Sequence, residues 1–78
     1  MNARLISRTL SLPQREVENT LSLLQQGATI PFISRYRKER TGGLDEVQIG
    51  DIQKENTRIQ EFEKRRLSIL QSIEEQGL

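Results

Sequence analysis

The sequence has no cysteine, no histidine and no tryptophan, and only three aromatic side chains, Phe32, Tyr36 and Phe62. Without cysteine there is no disulfide staple and no thiolate metal site. Without histidine the chain lacks both the commonest general base and the commonest metal ligand. Enzyme chemistry would have to run on carboxylates, Lys or Tyr alone, so no catalytic residue, no metal ligand and no cofactor is expected. The chain is 78 residues long and 33% hydrophobic, which allows one small domain with a modest core. Long apolar runs are also missing. Nothing approaches the roughly 20 residues that span a bilayer, and Arg4 is followed by no apolar segment of a secretory signal. No membrane partner is expected, and a cytoplasmic location is the default.

Charge is plentiful, and the net value of +1 conceals an asymmetry. Residues 1–44 carry seven Lys/Arg against three Glu, a net +4, whereas residues 45–78 carry five basic and eight acidic side chains, a net −3. A basic half beside an acidic half suits contact with nucleic acid at one end and protein at the other. It equally suits helices that pair their charges with each other.

Helical signals recur along the chain. In residues 2–12, Leu5, Ile6 and Leu10 fall near one side of a helix, with Arg4 and Arg8 on another. Ser11 and Gln14 have the spacing of a capping box, and Pro13 is tolerated in a first turn, so a second helix restarts there. Val17, Leu21 and Leu24 follow at helical spacing, and Gly27 is placed to close that helix in the left-handed conformation. Thr29 can cap a third helix with Pro31 in its first turn. Its apolar sector is expected to hold Phe32, Ile33 and Tyr36, with Ser34, Arg35, Arg37 and Lys38 opposite and Arg40 near the apolar edge. Gly42-Gly43 must end it.

Asp45 and Gln48 form another capping box, and no proline interrupts the chain from there to Gln76. Val47, Ile49 and Ile52 supply early apolar contacts. Ile59, Phe62, Ile69 and Ile73 then recur from Ile52 at seam-like spacing, with Glu55 and Arg66 as polar exceptions. A continuous helix here spans about 30 residues and about 45 Å. Gly50 and the polar run 53–58 are the places for it to bend or break. No alternating run or hairpin turn is present. The fold class is all-α: three short helices packed on one long helix, a single unit over 1–78.

The segment GATIPFISRYRKE (residues 27–39), followed by TGGLDEVQ (41–48), closely resembles the N-terminal signature of the Tex family, bacterial transcription accessory proteins. RRLSILQSIEEQG (65–77) resembles the next stretch in register, and residues 1–26 fit more loosely. The family usually has Ala where this chain has Ser34, and a small or apolar residue where it has Arg40. The resemblance implies a helical N-terminal region, about a tenth of a protein several hundred residues long. In that protein it precedes a ribonuclease-H-like domain, helix-hairpin-helix repeats and an RNA-binding OB-fold. It implies kinship with a eukaryotic elongation factor that associates with RNA polymerase. On this expectation the chain is a piece of a longer, RNA-binding protein. Its partners are the later domains of that protein and the transcription machinery, RNA polymerase included, while RNA or DNA is bound mainly elsewhere.

Two surfaces are candidates for function. Arg35, Arg37, Lys38 and Arg40 surround Tyr36 and can make salt-dependent, sequence-blind nucleic-acid contacts. The plainer reading places Tyr36 in the core and leaves the charges as solvated edges or paired with the acidic long helix. The split of the four cations into two pairs, Arg35/Lys38 and Arg37/Arg40, favours the plainer reading. Ile69, Leu70 and Ile73 form the candidate protein-docking surface, expected to pack on later helices or a protein partner. A helix-turn-helix reading of residues 5–27 meets two Glu on the supposed recognition face, which repel phosphates. The function expected is a non-catalytic scaffold and docking module of a transcription-associated nucleic-acid-binding protein, with the basic helix 31–40 as an alternative, weak nucleic-acid contact.

Overall fold

The computed structural model describes the backbone of residues 2–76 and the side chains of residues 2–66. Its helices are α1 (Ala3–Leu10), α2 (Gln14–Gln25), α3 (Ile30–Tyr36), α4 (Lys38–Thr41) and α5 (Glu46–Gln76). There is no strand among the described residues. The all-α architecture agrees with the sequence patterning. The expected third helix is divided in two by Arg37, whose backbone leaves helical geometry at φ −129°, ψ 32°.

Each junction has a local cause. Ser11 does not cap α2. It adopts φ 56°, ψ 44° and closes α1, with its own N–H and that of Leu12 bonded to the Ser7 carbonyl. A residue held in the left-handed region cannot also take the extended geometry of a helix N-cap. α2 therefore starts after Pro13 with no side-chain cap, and Gln14 donates instead to the Glu18 carboxylate. Gly27, at φ +95°, closes α2 as expected. The Ala28 N–H reaches the Leu23 carbonyl and the Gly27 N–H reaches that of Leu24, the paired bonds of a Schellman motif. The Thr29 hydroxyl accepts from the Phe32 N–H at 3.3 Å and caps α3. At α5 the capping box is complete. Asp45 Oδ1 accepts from the Gln48 N–H at 2.8 Å, and Gln48 Oε1 accepts from the Asp45 N–H at 3.1 Å.

The core is formed by Ala3 and Ile6 of α1, Val17, Leu21 and Leu23 of α2, Ile33 of α3, Leu44, and Ile49 and Ile52 of α5. α2 lies centrally, touching α1, α3, α4 and α5. Its buried Thr20 donates to the Glu16 carbonyl one turn back, so the hydroxyl is satisfied inside the core. α5 runs without a break through Gly50 and residues 53–58. Among the described residues its core contacts run from Ile49 to Ile59. From Gln60 to Arg66 the side chains are all exposed. The radius of gyration is 15.5 Å, against about 11.5 Å for a compact chain of this length, because α5 extends beyond the helices it covers.

Several apolar positions lie outside the core the periodicity suggested. Val47 and Phe62 are 71% and 67% exposed, and Leu5 also faces solvent. Phe62 does not pack against the core, so the seam finds no partner there among the described residues.

Candidate interaction surfaces

The first surface is α3–α4, where the structure reverses the expected facing. Ile33 and Ser34 are the buried residues of α3, flanked by the half-buried Ile30 and Arg37. These four positions stand at i, i+3, i+4 and i+7, one face of a helix. Ser34 was expected on the polar side. It is instead sealed against the bundle, with its hydroxyl donating to the Pro31 carbonyl at 3.0 Å. Phe32 and Tyr36, expected in the core, are 40% and 61% exposed. Their rings pair at 5.3 Å between centroids, tilted by 49°. The Arg37 guanidinium lies over the Phe32 ring at 4.9 Å and donates to the Tyr36 carbonyl at 2.9 Å.

The four predicted cations are thus gathered around an aromatic pair. Arg35, Lys38 and Arg40 are exposed and Arg37 is half-buried. Among the described residues the one ion pair is Arg58–Glu55 at 2.9 Å, within α5. The hydrogen bond to Glu55 and its charge raise the Arg58 guanidinium above its ordinary value. Of the two plainer alternatives for the α3–α4 cations, pairing with carboxylates of the long helix is absent among those residues. α4 is held in place by uncharged groups: Asn19 Nδ2 donates to the Arg40 carbonyl at 2.8 Å, and the buried Thr41 hydroxyl accepts from the Leu44 N–H. Its charged side chains are therefore free of structural duty. Beside Phe32 and Arg37 lies an open cavity of about 410 Å³, walled by Leu23, Ala28 and the turn at 26–29.

The second surface belongs to α5. Where the helix leaves α2, a groove of about 560 Å³ separates Leu21, Leu24 and Gln25 from Gln53, Asn56, Thr57 and Gln60. Leu21 and Leu24 supply its apolar part, and amide side chains with Glu63 supply the larger polar part. The exposed Phe62 lies just beyond it on the same helix. The predicted docking residues Ile69, Leu70 and Ile73 lie outside the described side chains.

Sequence reasoning found the cations but missed the aromatic pair. The available signal was Ser34: a small side chain at i+1 from Ile33 and i+4 from Ile30 marks a close approach as well as a polar face does. No group of three or more potential metal ligands occurs among the described residues. Among them, too, no helix is long and apolar enough to cross a membrane.

Comparison with known proteins gives the chain a family. Residues 1–74 match the model of the Tex-like protein N-terminal domain. The chain is 45% identical over 74 residues to the transcriptional accessory protein Tex of Neisseria gonorrhoeae, covering 95% of this chain and 10% of that protein. It is 43% identical over 74 residues to protein YhgF of Escherichia coli K12, again 95% and 10% of the two chains. Protein tex of Bordetella pertussis is 47% identical over 62 residues, 80% of this chain and 8% of that one. The chain spans about a tenth of the length of the curated relatives it matches.

Proposed function

The chain belongs to the Tex family, and from that premise we propose that it is a non-catalytic scaffold and docking module of a transcription-associated, nucleic-acid-binding protein. The observation that carries this reading is the outer half of α5. Its described side chains beyond the bundle are all exposed, and they include Phe62 at 67%. A large aromatic on a helix with no neighbour is the arrangement of an element that packs on another one. The adjoining groove, with Leu21 and Leu24 on one wall and amide side chains and Glu63 on the other, offers a second helix both apolar and polar contacts. The first occupant of this arm is the remainder of the longer polypeptide, and RNA polymerase is the second.

The test is a chimaera. The matching segment of the E. coli relative is replaced by this chain, and amide hydrogen exchange at residues 60–66 is compared with that of the isolated chain. Docking predicts slower exchange in the chimaera and a return to fast exchange with Phe62→Asp. Equal exchange in both settings would contradict intramolecular docking, and protection would then be sought with purified RNA polymerase.

A further inference from the structure

We propose that the α3–α4 face is a binding site for single-stranded nucleic acid, with bases stacking on the Phe32–Tyr36 pair and phosphates contacted by the surrounding cations. Two of the three aromatic side chains of a chain with a small core are kept at the surface here, side by side at i and i+4. Packing gives no account of them, because the buried face of α3 is complete with Ile33 and Ser34. Arg37 lies over Phe32 and is tied to the Tyr36 carbonyl. It fixes the Phe32 ring and brings a positive charge next to an open aromatic surface.

Charge selects the ligand. Arg35, Arg37, Lys38 and Arg40 stand with Glu39 as the one carboxylate in residues 30–44, and none of the four cations has a partner in an ion pair among the described residues. A polyanion is the complementary partner, and the rings narrow the class further. A duplex hides its base faces in its own stack, whereas a single strand offers each base to an aromatic side chain. The open cavity of about 410 Å³ beside Phe32 and Arg37 falls within the size range of small-ligand sites, so a base turned out of the strand has a place to enter. An acidic protein segment would use the guanidinium groups and leave the rings idle.

The experiment uses the 78-residue chain with 15-nucleotide dT and rU single strands, a duplex of equal length and poly-aspartate, at two salt concentrations. Stacking predicts single-strand binding that quenches the emission of Tyr36, the only tyrosine in a chain without tryptophan. Four phosphate contacts predict a loss of about 50-fold in affinity between 50 and 200 mM salt. Phe32→Ala and Tyr36→Ala should each weaken single-strand binding about 5- to 150-fold, while Tyr36→Phe retains it. Neither ring belongs to the buried core, Tyr36 being 61% and Phe32 40% exposed, so both variants are expected to keep the fold, which circular dichroism checks. The duplex should bind at least about tenfold less tightly than the single strand. Three results would overturn the proposal: no binding at the lower salt, binding indifferent to ring removal, or duplex or poly-aspartate bound as tightly as the single strand.

Discussion

Replacing Gly50 by Ala should make the protein more stable. Glycine inside a helix is destabilising because its unfolded chain has more freedom to lose, and Ala is better by about 0.8–1 kcal/mol. That gain is realised only if the site has helical geometry and room for a methyl group. α5 passes through Gly50 unbroken, and a Cβ built there meets only Ile30 Cδ1, at 4.0 Å. This is an ordinary van der Waals separation, and the new contact adds about 0.1–0.2 kcal/mol. The sum is about 1 kcal/mol, which for a domain of this size raises Tm by about 4–8 °C. Thermal melts followed by far-ultraviolet circular dichroism measure it, with a denaturant midpoint as a second readout. Gly43→Ala is the matched control. Nothing lies within 4 Å of a Cβ there, but φ is +90°, so backbone strain alone should lower stability by about 1–2 kcal/mol. A fall in Tm with Gly50→Ala would refute the continuous helix, or the packing of Ile30 across it.

Other substitutions probe the junctions and the core. Asp45→Ala removes the acceptor for the Gln48 N–H at the start of α5 and should cost about 1 kcal/mol in a denaturant titration. Gly42→Ala meets two obstacles, a φ of +73° and the Glu16 carboxylate in the space the methyl group would take. It should destabilise by at least about 1 kcal/mol, with partial relief from a second change, Glu16→Ala. Ile52→Ala empties a fully buried position between α5 and the short helices. A loss of about 2–5 kcal/mol follows, enough to unfold much of a small chain at room temperature, as a loss of the far-ultraviolet helical signal would report.

The sequence and the structure agree most closely where a signal depends on neighbouring residues. The Asp45/Gln48 capping box, the Thr29 cap and the left-handed Gly27 are all local chemistry, and all three form as their spacing dictates. Ser11 is the exception with a reason: the same residue satisfied the pattern for an N-cap and the need to close α1, and the closing role excluded the other. Facing is a different matter, because α3 has only seven residues and its apolar side chains span most of a turn. Phe32, Ile33 and Tyr36 define one sector by hydrophobicity; Ile30, Ile33 and Ser34 define another by fit against α5 and α2. Packing chose the second, since Ser34 allows a close approach that Phe32 and Tyr36 do not. The cations of the candidate site were therefore legible from composition, and the aromatic pair among them was not. Phe62 follows the same logic on α5. Its spacing announces a seam, but only tertiary packing decides how far along the helix that seam has a partner.

The contact face on α3 exists only if Tyr36 lies in solvent. Because the chain has one tyrosine and no tryptophan, its intrinsic emission reports that side chain alone, and a neutral quencher such as acrylamide reads its accessibility directly. With Tyr36 at 61% exposure, the folded protein should be quenched at more than about half the rate of the denatured chain, since quenching follows the surface open to solvent. Emission shielded from the quencher until the protein unfolds would return Tyr36 to the core, and the aromatic platform with it.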